Sequence, residues 1–296
     1  MPFSRCAIQL PKLTITASWQ VTAIYLLTCS LIAGCGGGGS TENPDITIPP
    51  ENTSSNINSG VYFANNSKDK AGNATELTLI VNSDSVSSAS GKFYGLQFYS
   101  ASSSTPLIFA GDISGIGTKT ANVNPMTGFS IYPGTSTPEQ GNFSITSPTS
   151  GELKIDGLSA STKLDWGTPK SESNISIDSP ASAAALQGAW SGSLYFPGGS
   201  NLTFPIIFAQ DLTFSASDFD QCPINQGQAS ASVSGKNLFN ISFTLGTNLK
   251  CNALSGQTLT GLAFITTPVT GKKRLQWVAT SADGKGLSFK SDLKNQ

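Results

Sequence analysis

A two-residue alternation of apolar and polar side chains restricts this chain more than any other feature. Leu77, Leu79 and Val81 alternate with Thr78, Ile80 and Asn82. Phe143 and Ile145 alternate with Ser144 and Thr146, and Leu153 and Ile155 with Lys154 and Asp156. Later come Ala229-Ala231-Val233, then Phe239-Ile241-Phe243-Leu245, then Leu275-Trp277-Ala279, each interleaved mainly with polar residues. Clusters of Gly, Ser, Asn and Pro cut the runs short. Such segments read as half-buried antiparallel strands. The predicted fold is all-β: two antiparallel meander domains, each a small barrel or sandwich.

The breaks set the organisation. Residues 36–58 hold Gly36 to Gly39, Ser40, Pro44, Pro49 and Pro50 with no hydrophobic period, which predicts a flexible tether of about 20 residues. The first β domain is predicted over 59–168, a linker over 169–182, and a second β domain over 183–296. About 110 residues each is an ordinary domain size. The halves open alike, on Ser59-Gly60-Val61-Tyr62-Phe63 and Ser191-Gly192-Ser193-Leu194-Tyr195-Phe196, as a tandem repeat would. One short helix is expected near Ala181–Leu186, with Ser179 as cap, Pro180 in the first turn and Gly188 as terminator. About eight short strands are expected between Ala189 and Lys290.

Residues 1–34 differ from the rest. Arg5 and Lys12 are the only charges, and Leu13 to Ala33 carries none. A membrane span needs about 20 mainly apolar residues, but Thr14, Thr16, Ser18, Gln20 and Thr22 dilute this stretch. A cleaved export signal is the better reading. Its end, Leu31-Ile32-Ala33-Gly34-Cys35, resembles the lipobox of bacterial lipoproteins. The resemblance implies a diacylglyceryl group on Cys35, cleavage before it, and acylation of the new amine, so that the protein meets the membrane through lipid on Cys35. Several chains hold far better than one, at about 0.8 kcal/mol per buried methylene. Gly36 stands where lipoproteins retained at the inner membrane carry Asp, which implies the outer membrane of the cell envelope, with the leaflet left open.

Composition removes several function classes. Charged residues make up 12% of the chain, against an average of about 25%. Of the 17 basic and 18 acidic residues, Arg5 and Lys12 leave with the signal, so the net charge goes from −1 to −3. The one basic run, Lys272-Lys273-Arg274, reads as a solvated hairpin turn. Nucleic-acid binding is not expected. Histidine is absent, which removes Ser-His-Asp and Cys-His catalysis and the commonest zinc ligand. No catalytic, metal or cofactor site is nominated, and the chain is not expected to be an enzyme. Asp211, Asp218 and Asp220 lack calcium-loop spacing. Asp112-Ile113-Ser114-Gly115-Ile116-Gly117 lacks the helix a phosphate loop requires.

Cysteines sort cleanly. Cys6 and Cys29 leave with the signal, Cys35 takes lipid, and Cys222 and Cys251 form an even pair in an exported chain, which reads as one disulfide. The register supports the pair. A two-residue loop at Lys236-Asn237 would centre a hairpin midway between the two cysteines and set them opposite each other, where Cβ atoms lie about 4.5–5.5 Å apart. The bond is expected to be structural.

The aromatics raise a binding question. Tyr62, Phe63, Phe93, Tyr94, Phe98 and Tyr99 crowd the first half, and Trp190, Tyr195, Phe196, Phe204, Phe208 and Trp277 the second. Tyr94 and Tyr99 fall on opposite pleats, as do Phe93 and Phe98; most of these rings are expected in the core, and any that face outward would suit a binding face for glycan or protein. Gly188-Ala189-Trp190 after the short helix resembles the opening of lipocalin-like meander barrels, which implies an up-and-down barrel with an apolar lumen. Three roles stay open: a lipid-anchored binding or structural module whose partner is a protein or glycan, a carrier of a small apolar ligand in a barrel lumen, and a hydrolase with two distant carboxylates. A lumen lined by Phe204, Phe208 and Trp277 would favour the carrier, and packed lumens with exposed aromatics the binding module.

Overall fold

The computed structural model describes residues 56–293, apart from 65, 69–73, 100–106, 131–138, 148, 156–161, 166–179, 196–201, 217–221, 248 and 267–271. The predicted signal, Cys35 and the predicted tether up to residue 55 lie outside the described residues. The described chain falls within one compact unit, Asn52–Gln296, and is all-β as expected. Among the described residues, sixteen strands form two eight-stranded antiparallel sheets.

The first sheet is a sequential meander: β1 (Gly60–Ala64), β2 (Thr75–Ser83), β3 (Ser90–Tyr99), β4 (Leu107–Ser114), β5 (Ala121–Ser130), β6 (Glu139–Ser147), β7 (Ser150–Ile155) and β8 (Thr162–Asp165). It curls around its own apolar core, with Leu79, Val81, Phe93, Phe109, Phe143 and Ile145 buried inside. Phe93 and Phe143 stack there with ring centroids 4.9 Å apart. Its edges are β1 and β8, and Asn66, just past β1, bridges them. The Asn66 amide donates to the Lys163 carbonyl and to Asp165 Oδ2, both at 3.2 Å, and its Oδ1 accepts the Asp165 N–H at 2.9 Å. A side chain thus supplies ladder-like bonds where the strand has ended.

The second sheet closes completely. Its strands are β9 (Gly188–Tyr195), β10 (Leu202–Phe208), β11 (Thr213–Ala216), β12 (Ile224–Ala231), β13 (Leu238–Leu245), β14 (Thr258–Thr266), β15 (Arg274–Ser281) and β16 (Gly286–Leu293). Closure comes from β16 pairing with β9, from Ser288↔Tyr195 to Leu293↔Trp190. A closed barrel has no free edge. The short helix α1 (Ala183–Leu186) precedes it. It starts later than the sequence signals predict: Ser182 holds the cap position without a side-chain cap bond. Gly188, at φ +106°, turns the chain into β9 in a conformation that other residues rarely adopt.

The two sheets open on the same device. In the first, the Tyr62 hydroxyl donates to the Asn58 carbonyl at 2.7 Å and accepts the Asn58 N–H at 3.1 Å. In the second, Trp190 Nε1 donates to the Leu186 carbonyl at 2.7 Å. Each aromatic stands two residues after a glycine and reaches back four residues. Each preceding segment also bonds to the turn between the fourth and fifth strands of its sheet. Ile57 exchanges two 2.7 Å backbone bonds with Gly117 and Thr118, and the Ala181 N–H meets the Lys236 carbonyl. Ile57 and Leu186 are buried as plugs at those ends.

Burial pushes the Tyr62 hydroxyl up to about 12, partly offset by the Asn58 bond. A raised folded-state value stabilises the protein fully below the ordinary tyrosine range near pH 10, and that stability is lost as pH rises toward 12. A spectroscopic phenolate titration should therefore contain a step near pH 12 that Tyr62→Phe removes. A step for this residue near pH 10 would contradict the packing described for it.

A third apolar cluster joins the sheets. Phe63, Ile80, Tyr94, Leu96 and Ile108 of the first meet Leu238, Leu262, Phe264 and Val278 of the second. Phe63 packs edge-on to Phe264, with centroids 6.4 Å apart. The buried Tyr94 hydroxyl bonds to Thr280 and Thr260 across the seam. Asn82 accepts from the Ser232 hydroxyl and donates to Asn240 Oδ1 at 3.5 Å. β2 is consequently buried on both faces, not half-buried as alternation alone implies. The seam joins unlike surfaces, the first strands of one sheet to the later strands of the other. The remaining outer face of β5–β7 carries Asn122, Asn142, Ser144, Glu152 and Lys154.

Candidate functional site: a sealed barrel and its lid

The second barrel gathers most of the residues singled out in the sequence. Alternation on β13 sends Phe239, Ile241, Phe243 and Leu245 inward, where all four are buried. Aromatic rings cross the lumen in a chain. Phe208 lies 4.7 Å from Phe214, Phe214 5.8 Å from Phe243, Phe243 5.0 Å from Trp277, and Trp277 5.5 Å from Phe289, all as centroid distances. An eight-stranded barrel is just wide enough for side chains to fill or for one small ligand to enter, and these rings occupy its interior. Gly227 makes room for one of them: a Cβ there would come within 2.5 Å of the Phe214 ring. The alternation from Ala229 onward begins after this glycine, so the sequence does not single it out; the strand in fact starts at Ile224.

One end of the lumen is plugged by Leu186 and Trp190. The other is covered by a 3-10 helix, Leu249–Leu254, from which Cys251 and Leu254 are buried in the barrel core. Cys251 is bonded to Cys222, with S–S 2.09 Å and Cα–Cα 4.8 Å. The expected disulfide is therefore present, but the route to it differs from a cross-strand pair. Pairs such as Ser230↔Asn240 and Ala231↔Phe239 centre the hairpin on residue 235, not between 236 and 237. The turn is longer than two residues, closed by the Ser232 N–H on the Leu238 carbonyl. β12 stops at Ala231, so Ala231 and Val233 are exposed and do not continue the inward alternation of Ala229. Continued pairing would set Cys222 short of Cys251. Instead the Gly246 N–H bonds to the Pro223 carbonyl at 2.8 Å, pairing ends, and the 3-10 helix carries Cys251 back over Cys222.

The β15–β16 turn clamps this lid. Lys285 pairs with Asp283 at 2.7 Å and reaches the Ala253 carbonyl at 3.4 Å. Gln257 donates to both the Ala253 carbonyl and Asp283 Oδ2. Lys285, followed by the Ser281 hydroxyl, holds the Asp283 carboxyl well below the usual carboxylate range. The cluster is partly exposed, so its contribution to stability is small.

The remaining sequence candidates are placed as follows. Asp211 caps a turn, accepting the Thr213 N–H at 3.0 Å and hydroxyl at 2.7 Å. Asp218 and Asp220 lie outside the described residues. Asp112 sits on β4 in an ion pair with Lys92, and Gly115–Thr118 forms a turn. Lys272 and Lys273 are exposed ahead of β15. Among the described residues no group of three or more His, Cys, Asp and Glu side chains is placed to hold a metal. The aromatics expected to face outward do so only in the sense of the pleat. Phe63 and Tyr94 leave the first barrel's lumen but are covered by the seam, and Phe93 points into the core. Of the side chains of Phe98, Tyr99, Phe196 and Phe204 nothing is described. The Ser291 hydroxyl is buried without a hydrogen-bond partner, and the pairing of this residue with Leu275 puts it on the lumen side of β16.

No family model and no curated protein matches this chain. Among solved structures, a protein of unknown function from the DUF3598 family of Nostoc punctiforme is similar at 10% identity. The alignment covers 80% of this chain and 96% of that one, with a TM-score of 0.24.

Proposed function

We propose that the mature protein begins at Cys35, is held by lipid at the outer membrane of the cell envelope, and acts there by binding or as a structural element, without catalysis. The observation that carries this reading is the order Leu31-Ile32-Ala33-Gly34-Cys35, Gly36-Gly37-Gly38-Gly39-Ser40, then a folded β body. The Cys222–Cys251 disulfide supports it, because such bonds persist in oxidising compartments outside the cytosol. A histidine-free chain whose second barrel is filled by its own rings supports a binding or structural role over chemistry. The partner is a protein or a glycan engaging the outer surface. The second reading, carriage of a small apolar molecule in the lumen, draws on the same aromatic lining but needs the lid or a ring to give way.

Fractionation with globomycin, which blocks lipoprotein signal cleavage, tests the anchor. Wild-type chain should pellet with membranes, incorporate labelled palmitate, and accumulate as precursor under the inhibitor. Cys35→Ser should take up no palmitate. A Cys35→Ser product that still pellets and still responds to globomycin would refute lipidation at this residue.

A further inference from the structure

Three large apolar side chains stand exposed among the described residues: Val86 at 83%, Ile207 at 58% and Val233 at 53%. Two of them share one end of the body. Val86 tips the β2–β3 turn, and Ala89 of that turn accepts backbone bonds from Gly115 and Ile116. Gly117 and Thr118 of the neighbouring turn hold Ile57, the point where the chain enters the first barrel. Val233 tips the β12–β13 turn, which the Ser232–Asn82 hydrogen bond ties to the end of β2. Asp84 and Lys119 are exposed beside them, Lys236 lies in the Val233 turn, and the exposed Lys272 and Lys273 precede β15 at the same end, so the charge here is mainly positive and does not oppose contact with an anionic lipid surface.

Twenty-one residues separate Cys35 from Ile57. A random coil of that length would have a root-mean-square span of about 25 Å, roughly the length of one barrel strand. A lipid on Cys35 therefore keeps this end, before any other, within reach of the bilayer. At such effective concentrations even a weak contact is populated.

We propose that the tether end of the body is a lipid-contacting surface, with Val86 and Val233 seated in the headgroup region of the membrane that holds Cys35. This rests on the anchor reading above. The contact fixes the orientation of the body: the Val86 and Val233 turns face the lipid, while β10, which carries Ile207 on the barrel wall opposite β14, does not.

The test uses the full mature lipidated protein in vesicles of phosphatidylethanolamine and phosphatidylglycerol. Val86→Cys, Val233→Cys and Ile207→Cys each supply one thiol for an environment-sensitive fluorophore, since Cys35 is acylated and the remaining two cysteines are bonded. The expected result is a blue shift, a roughly two-fold brighter emission and quenching by spin-labelled lipid at positions 86 and 233, with position 207 unchanged. Retained vesicle pelleting with water-like emission at all three positions would overturn the contact while leaving the anchor intact. Failure to pellet would overturn the anchor and the contact with it. Shielding of positions 86 and 233 that grows with protein concentration in the absence of vesicles would overturn the lipid surface and assign the patch to a second copy of this chain.

Discussion

Trp277→Ala is expected to cost about 3–5 kcal/mol, the range for deleting a large aromatic from a packed core. Trp277 is an interior link of the ring chain in the lumen, touching Phe243 on one side and Phe289 on the other. Its indole is almost wholly buried, and the strands around it are tied into a closed ladder that cannot collapse to fill the gap. Both the lost transfer free energy and the residual cavity therefore contribute. Chemical denaturation should show a lower midpoint with an unchanged slope, because the surface exposed on unfolding barely alters. The variant should also acquire affinity for a small aromatic such as benzene, since an apolar cavity of that size stays dry. A loss below about 1 kcal/mol would mean the lumen is loosely filled, and benzene binding by the wild type would move the weight to the carrier reading.

The second large effect is expected from Cys222→Ser with Cys251→Ser. The bond closes a loop with a sequence separation of 29, which in the chain-entropy account stabilises the native state by roughly 3–4 kcal/mol. At about 2–4 °C per kcal/mol for a protein of this size, the melting temperature should fall by roughly 10 °C. The loss should also be local. Without the bond, the lid Leu249–Leu254 keeps, among the described side chains, Leu254 in the core and the Gln257, Asp283 and Lys285 clamp. Limited proteolysis should cut the double variant near the lid before it cuts the barrel strands. Equal melting temperatures for the two proteins, with the same protease pattern, would show that the lid is held by packing alone.

Where one face of a strand meets a core and the other meets water, the residues already told the story. β13 and β15 send alternate large side chains inward, as the spacing of Phe239, Ile241, Phe243 and Trp277 implies. Alternation fails where a third surface arrives. Ile80 and Tyr94 occupy outward positions, yet both are covered because the second barrel packs over them, and no local pattern encodes which face will find a partner. The cysteine pair was legible from count and compartment, whereas its geometry was not. Register depends on turn length, and a turn longer than two residues moved the hairpin centre away from the cysteine midpoint. The lid escaped notice because Leu249–Leu254 is six residues long with no period of its own. The side-chain bridge from Asn66 to β8 escaped for a related reason, since one asparagine in a turn segment has no pattern to betray it.

The anchor proposed at Cys35 joins these particulars into one account: two packed eight-stranded sheets, the second a closed barrel stapled by one disulfide, on a chain proposed to be exported and tethered by lipid. The most direct test is the intact mass of the protein extracted from envelope membranes, followed by its N-terminal peptide. The account predicts a chain that starts at Cys35, carries a diacylglyceryl thioether and an amide-linked acyl chain on that residue, and retains the Cys222–Cys251 bond. An N-terminus elsewhere, with Cys35 absent or unmodified, would contradict it.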